Sequence, residues 1–190
     1  MSKQKIAGVI LAGGKNSRMG SEKGLLEVEG KRIIERIIDV LKQVTDEIII
    51  ISNNTTYNYL NYKVCADIIK DCGPMSGIHS ALTHSSTKKN LLISCDMPFI
   101  TKDILKKIIS NSKDCDVAIP KHNGLLEPLC AVYSKKCIKS FEECIKKEKF
   151  KLTDSFKYFV VKKINFTKKE LSRNEFLNVN TPQEYQRIKP

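Results

Sequence analysis

The chain has 190 residues, of which 41% are hydrophobic, and its 33 Lys and Arg against 21 Asp and Glu give a formal net charge of +12. This composition excludes a disordered chain, and the length predicts a single domain, residues 1–190, with a sizeable core. No apolar run approaches the roughly 20 residues that a membrane-spanning helix needs. The N-terminal MSKQK lacks the features of a signal peptide, so we expect a cytoplasmic protein without a membrane partner.

The positive charge raises the question of nucleic-acid binding. Much of the excess lies between residues 135 and 169, where lysines are spread through amphipathic segments instead of forming a tail. A solvated, lysine-rich surface explains this pattern, and it would also attract small phosphorylated molecules. The sequence therefore predicts no nucleic-acid partner, and a basic nucleic-acid-binding module is kept only as a distant alternative.

The elements of the first half alternate between strands and helices. Ile6–Leu11 predicts a first strand, and the helical spacing of isoleucines predicts a helix over residues 32–44. Glu47–Ile51 (EIIII) is a run without polar alternation, which is typical of a parallel strand buried on both faces. A short strand follows at Lys63–Ala66, with Asp67 at its carboxyl end, and a helix is predicted after Gly73 and Pro74.

The second half continues the alternation. Leu91–Cys95 predicts another buried strand, and Thr101 is a candidate cap for the next helix. Thr181, Pro182 and Glu184 have the spacing of a helix-capping box. The other predicted elements are strands at residues 116–119, 129–133, 159–164 and 176–179 and a helix at 134–147. The pattern predicts an α/β fold, a Rossmann-like, mostly parallel sheet with helices on both faces.

The loop after the first strand predicts a phosphate site. Gly13 and Gly14 break the strand, and Lys15, Arg18 and Lys23 follow within ten residues. Backbone N–H groups at such a turn bind anions, and cations add full positive charge. The spacing differs from that of a P-loop and of a dinucleotide fingerprint. From the residue types alone, an ordinary tight turn with solvated cations is equally open.

Asp96 is the next candidate. It directly follows a buried strand and is expected at the same sheet edge as the glycine turn, where a carboxylate could hold Mg²⁺ against a triphosphate. A turn aspartate before Pro98 is the structural alternative. The histidines His79, His84 and His122 have no motif spacing, so we interpret them as surface or helix-face residues, with His122 in a loop. The seven cysteines form no C-x-x-C pair and are interpreted as buried free thiols.

Several motifs occur together over nearly the whole length. They are Leu11-Ala12-Gly13-Gly14-Lys15, Arg18-Met19-Gly20, Lys23-Gly24-Leu25, Gly73-Pro74-Met75-Ser76-Gly77-Ile78, Cys95-Asp96-Met97-Pro98-Phe99, Pro128-Leu129 and Asn178-Val179-Asn180-Thr181-Pro182. With these motifs the chain resembles the molybdenum cofactor guanylyltransferases, which transfer GMP from GTP to the phosphate of molybdopterin and release pyrophosphate. The first and fifth motifs are shared with other nucleotidyltransferases, whereas the C-terminal motif favours the guanylyl enzymes.

The resemblance implies roles for individual residues. The residues implied in GTP binding are Leu11, Ala12, Gly13, Lys23, Asp67 and Asp96. Arg18, Lys23 and Asp96 are implied in catalysis, with Asp96 as the ligand of the Mg²⁺ cofactor. Asn178 and Asn180 lie in the motif that the family places near the substrates, here the region of the second substrate. Asp71, which also precedes Gly73, is a weaker candidate than Asp67.

Two further points follow from the resemblance. GTP and molybdopterin are the expected small-molecule partners, and transient contact with proteins that deliver or accept the cofactor is compatible with such an enzyme. The alternative within the class is a molybdopterin cytidylyltransferase or another small-phosphate nucleotidyltransferase, because base-edge contacts decide between guanine and cytosine.

Overall fold

The structure is a computed structural model and describes residues 5–13, 22–171 and 174–189. Its strands are β1 (Ile6–Leu11), β2 (Glu27–Val28), β3 (Lys31–Arg32), β4 (Glu47–Ile51), β5 (Lys63–Cys65), β6 (Lys89–Ser94), β7 (Val117–His122), β8 (Leu125–Leu126), β9 (Cys130–Ser134) and β10 (Val161–Asn165). Its α-helices are α1 (Ile33–Leu41), α2 (Pro74–His84), α3 (Lys102–Ser110), α4 (Ile138–Lys146), α5 (Leu152–Ser155) and α6 (Pro182–Ile188). Short 3-10 helices lie at Lys23–Leu25, Asn58–Leu60, Lys135–Cys137 and Phe156–Tyr158.

The main sheet has the strand order β10-β7-β9-β6-β1-β4-β5, with β8 paired to β7, while β2 and β3 form a separate ribbon. Neighbouring strands are parallel from β6 to β5 and between β10 and β7. Only β8 and β9 run against the others. Because β9 is antiparallel to both β6 and β7, the carboxyl ends of β1, β4, β6 and β7 lie at one edge of the sheet. We call this edge the site edge.

The core lies on both faces of the sheet. All six residues of β1 are buried, and alternate side chains enter different clusters, Ile10 with α1 and α3 and Val9 with α2 and α4. A strand buried on both faces is expected to be continuously apolar, as β1 is throughout and β4 is after Glu47. The predicted α/β fold, with a mostly parallel sheet and helices on both faces, is confirmed. In the described part of the chain, no helix is long and apolar enough to cross a membrane.

The C-terminal strand prediction is wrong. Residues 176–179 form no strand; Leu177 N–H instead donates to Asn174 O at 2.8 Å in a turn, and Val179 N–H donates to Asp96 O at 2.9 Å. Phe176 and Val179 are buried, which explains their apolar character. One backbone hydrogen bond, to the residue Asp96 beyond the end of β6, does not make a β-ladder. The segment therefore crosses the site edge and does not extend the sheet. We call residues 174–181 the C-terminal strap.

The cysteines are free thiols, as predicted, and all except the half-buried Cys65 are buried. Burial raises the pKa of Cys95 and that of Cys137 to about 12. A thiol with such a pKa stays protonated at neutral pH and behaves as a small apolar side chain.

Candidate active site

A cleft of about 680 Å³ opens at the site edge. Ligand pockets typically have volumes of roughly 300–1,000 Å³. Residues from the ends of β1, β4 and β5 and from the start of α2 line the cleft, among them Leu11, Ala12, Gly13, Asn53, Asp67 and Gly77. The cleft is therefore built from the short connections after parallel strands, where α/β folds place their ligands.

Lys23, Asp96 and Asn180 come together beside this cleft. Lys23 Nζ lies 3.1 Å from Asp96 Oδ2 and 2.5 Å from Asn180 Oδ1, although these residues are 73 and 157 positions away along the chain. The side chains of Lys23 and Asp96 are 18% and 11% exposed, so their ion pair is partly shielded from water. The structure thus brings together one residue from each of three sequence motifs.

Asp96 is fixed through its backbone. It follows β6, and the preceding Cys95 N–H donates to Leu11 O at 3.1 Å, while Val179 N–H donates to Asp96 O at 2.9 Å. The second carboxylate oxygen, Asp96 Oδ1, is buried and has no hydrogen-bond partner among the described residues. A buried carboxylate oxygen without a partner is costly in a folded chain, and it is a suitable ligand for a hard cation such as Mg²⁺.

A network of contacts holds Glu22 and Gly24, the two residues that flank Lys23. Glu22 accepts hydrogen bonds from Asn54 Nδ2 at 2.6 Å and from Tyr57 Oη at 3.1 Å. Tyr57 is fully buried, and burial raises the pKa of its phenol, so it remains a donor. Gly24 lies against the same phenol, because a Cβ at this position would lie 2.9 Å from Tyr57 Oη. No sequence motif marks Glu22, Asn54 or Tyr57.

Asn180 is fixed by the start of α6. The predicted capping box is present: Glu184 N–H donates to Thr181 Oγ1, and the Glu184 carboxylate accepts from Thr181 N–H. The carboxylate also accepts from Asn180 N–H at 2.7 Å. This hydrogen bond is the main reason that the pKa of Glu184 is lowered.

Asp67 lies on the opposite side of the cleft, just after β5. Asn53 Nδ2 donates to Asp67 Oδ2 at 2.8 Å, and Asp67 N–H donates to Asn53 Oδ1 at 2.9 Å. Asp67 Oδ1 is buried without a hydrogen-bond partner among the described residues. Gly13 and Gly77 lie beside this carboxylate, because a Cβ on either would be in ordinary van der Waals contact with it, at 3.9 Å. Asn53 belongs to no motif, but its position two residues after the end of β4, at the site edge, could have marked it as a candidate.

The remaining predicted residues are less central or lie outside the described part. Ala12 N–H already donates to Ile51 O at 2.9 Å, so this N–H group is used within the sheet. Asn178 lies on the C-terminal strap, where its Nδ2 donates to Phe176 O at 3.2 Å. Arg18 lies in residues 14–21, outside the described residues. Among the described residues, no three His, Cys, Asp or Glu side chains cluster as a ready-made metal site.

One of the three histidines differs from the prediction. His79 is a helix-face residue, as predicted: it faces inward on α2, is 3% exposed, and has its Nε2 3.3 Å from Glu142 Oε1. His122 ends β7 instead of lying in a loop, and its Nε2 lies 2.7 Å from Glu127 Oε1. Sequence spacing could not reveal this pair, because it depends on the β7–β8 turn.

Comparison with known proteins agrees with this geometry. A family model described as the MobA-like NTP transferase domain matches residues 8–157. A probable molybdenum cofactor guanylyltransferase of Pelotomaculum thermopropionicum is 42% identical over 183 residues, covering 92% of this chain and 87% of that protein. One from Clostridium perfringens strain 13 is also 42% identical, covering 96% of this chain and 95% of that protein.

Solved structures share the fold. The molybdopterin-guanine dinucleotide biosynthesis protein A of Archaeoglobus fulgidus superposes with a TM-score of 0.80 at 24% identity, covering 96% of each chain. A nucleotidyl transferase from Methanothermobacter superposes with a TM-score of 0.76 at 16% identity, covering 98% of this chain and 97% of that one.

The sheet, the cleft at its carboxyl edge and the family match define the class of the protein, which is a nucleotidyltransferase. The identity to curated relatives over almost the whole length then narrows the class. The chain belongs to the molybdenum cofactor guanylyltransferase family, within the proteins that carry a MobA-like NTP transferase domain.

Proposed function

We propose that this protein transfers GMP from GTP to the phosphate of molybdopterin (Mo-molybdopterin), forming the guanine dinucleotide cofactor and pyrophosphate. The observation that carries the proposal is the Lys23–Asp96–Asn180 cluster beside a cleft of nucleotide size. A cation, a carboxylate and an amide at one point can bind and orient phosphate groups. We infer the substrates, GTP and molybdopterin, from the names of the relatives.

The nucleoside end of the cleft favours guanine. Asp67 Oδ1 is buried and lacks a partner among the described residues, and Asn53 fixes the other carboxylate oxygen. Guanine presents an N1–H and a 2-amino group side by side, and both donate to a carboxylate, whereas the pairing edge of cytosine has one amino donor beside acceptors. A bound guanine would therefore satisfy Asp67, and cytosine would leave an acceptor facing it.

The chemistry needs little acid–base catalysis. A phosphate monoester is largely ionised at neutral pH, because its second pKa is about 6. Its oxygen attacks the α-phosphorus of GTP, a new P–O bond forms, and the bond to the β-phosphate breaks with release of pyrophosphate. The protein has to align two anions and offset their repulsion, which is a positioning and electrostatic task. Lys23 supplies positive charge at this point, and we assign Arg18 the same role.

A divalent ion fits the site. Asp96 Oδ1 would be the protein ligand of Mg²⁺, and substrate phosphates and water would supply the other oxygens, as is usual for this ion. When bound, Mg²⁺ neutralises phosphate charge. Lys23 and Asn180 hold Asp96 and its surroundings in place, and the backbone of Leu11, Ala12 and Gly13 forms the nearby wall.

We infer that residues 1–190 work as one catalytic domain. We place this domain in the cytoplasm, where a reducing environment suits seven free thiols. The partners we propose are GTP and molybdopterin, with transient contact to proteins that deliver or accept the cofactor.

Incubation with molybdopterin, Mg²⁺ and either GTP or CTP tests the proposed function. Mass spectrometry should detect the guanine dinucleotide, and the yield with CTP should be far lower. A cytosine dinucleotide as the main product would establish the cytidylyl alternative and reject the guanylyl one.

A further inference from the structure

A histidine–carboxylate pair lies on the β7–β8 hairpin. His122 ends β7 at the site edge, and its Nε2 is 2.7 Å from Glu127 Oε1. Asn123 and Gly124 connect the strands with φ angles of 47° and 81°, the left-handed values that suit a tight hairpin turn. The side chains of His122 and Glu127 are 16% and 17% exposed, so the pair is largely shielded.

The imidazole ring of His122 stacks on a residue of the C-terminal strap. Its centroid is 4.8 Å from that of Phe176, with an interplanar angle of 13°. Phe166 contacts the same Phe176 edge-on, with centroids 5.4 Å apart. Phe176 is thus held between the hairpin and the core, and such ring contacts stabilise a defined geometry.

The C-terminal strap connects Phe176 to the Lys23–Asp96–Asn180 cluster. Phe176 O accepts the hydrogen bond from Asn178, and Val179 N–H donates to Asp96 O. Asn180 Oδ1 then accepts from Lys23 Nζ. The Phe176 ring and the Lys23 ammonium are therefore connected through five consecutive residues of the strap, 176–180.

We infer that His122 and Glu127 are positioning residues that fix the C-terminal strap. They thereby fix Asn178 and Asn180 on the side of the active site where the acceptor, molybdopterin, would bind. Glu127 sets the orientation of the imidazole, and the imidazole face holds Phe176. Neither side chain is assigned a contact with the reacting atoms. The effect on the acceptor rests on the proposed function, whereas the restraint of the strap does not.

Hydrogen exchange of the strap tests the restraint without any substrate. His122→Ala should accelerate exchange in peptides covering residues 174–181, because the amides of Val179 and Asn180 lose a rigid framework. His122→Phe keeps a ring for Phe176 and should restore protection. His84→Ala is the matched control. Helix α2 begins at the cleft, and His84 is its last residue, about 15 Å away along the helix axis.

Kinetics test the consequence for the acceptor. His122→Ala should lower kcat by about tenfold or more and raise the KM for molybdopterin, because a misplacement of about 1 Å can cost this much. GTP affinity, measured without molybdopterin, should change less than the KM for molybdopterin, since the Asp67 end of the cleft is untouched and only the contact of Lys23 with Asn180 is loosened. His122→Phe should recover most of kcat, and His84→Ala should match the wild type.

Unchanged exchange and unchanged kinetics in His122→Ala would overturn the inference, as would an equal loss in His122→Phe. If His122→Ala fails to fold, Phe176→Leu removes the same ring contact while keeping an apolar side chain, and it should give the same exchange and kinetic pattern. A wild-type protein that makes no dinucleotide would reject the proposed function, yet the exchange experiment would still decide whether the strap is held by His122.

Discussion

Lys23 and Asn180 are joined by a 2.5 Å hydrogen bond, although they are 157 positions apart along the chain. The bond connects the end of the glycine-containing loop to the strap before α6. Because Lys23 also pairs with Asp96, the three motifs share one ammonium group. The geometry of the proposed phosphate site therefore depends on the whole fold and not on the loop alone.

The first prediction concerns Lys23. Replacement by Met keeps the length of the side chain but removes its charge, so the repulsion between the two phosphates is no longer offset. We expect kcat to fall by about 10²- to 10³-fold, the usual loss for one charged donor at a reacting group. Steady-state kinetics measure the loss, and circular dichroism checks that the fold is retained. A Met variant as active as the wild type would remove Lys23 from the catalytic machinery.

The second prediction concerns Asp67. Asp67→Asn places an amide where guanine requires an acceptor pair, and losing a charged hydrogen bond of about 1.5–3 kcal/mol should raise the KM for GTP by roughly 10- to 100-fold. Asp71→Asn is the matched comparison, because Asp71 also lines the cleft and has a φ of 60°, which Asn tolerates. A large effect in Asp71→Asn with none in Asp67→Asn would reverse this assignment.

The third prediction concerns the packing of Gly24 against Tyr57. A Cβ on Gly24 would lie 2.9 Å from Tyr57 Oη and 3.2 Å from its Cε1. Gly24→Ala should therefore lower the free energy of unfolding by about 1–3 kcal/mol. Adding Tyr57→Phe removes the closest atom, so the double variant should be more stable than the sum of the single effects predicts. Strict additivity in urea denaturation would show that this contact is not the cause.

The fourth prediction is a pH dependence. The hydrogen bond from Asn180 N–H lowers the pKa of Glu184 below its ordinary value of 4.5. A carboxylate with a lowered native pKa stabilises the fold above its unfolded pKa, and this stabilisation is lost as the pH falls through the native pKa. The stability difference between wild type and Glu184→Gln should thus be largest near neutral pH and shrink below pH 4.5. A difference that is independent of pH would contradict the role of the charge.

Much of the fold could be predicted because local patterns carry it. The apolar run of β1 and the four isoleucines of β4 indicate strands buried on both faces, and Thr181 with Glu184 indicates the start of α6. The error at residues 176–179 has a physical cause, since burial of Phe176 and Val179 gives a short apolar pattern that does not distinguish a strand from a buried strap.

Sequence motifs marked the three residues that the structure brings together beside the cleft, Lys23, Asp96 and Asn180. Residues whose contacts are made with distant parts of the chain had no sequence motif. Tyr57 is 35 positions from Glu22, and no spacing rule connects them. The stacking of His122 on Phe176 depends on a hairpin and a strap that meet only in the folded chain.

Release of pyrophosphate from GTP and molybdopterin in the presence of Mg²⁺ is the most direct measurement, made on the wild type, Lys23→Met and Asp96→Asn. We predict one pyrophosphate for each guanine dinucleotide formed by the wild type, and rates lower by about 10² or more in both variants. No dinucleotide from the wild type, or wild-type rates in either variant, would contradict guanylyl transfer at the Lys23–Asp96–Asn180 cluster.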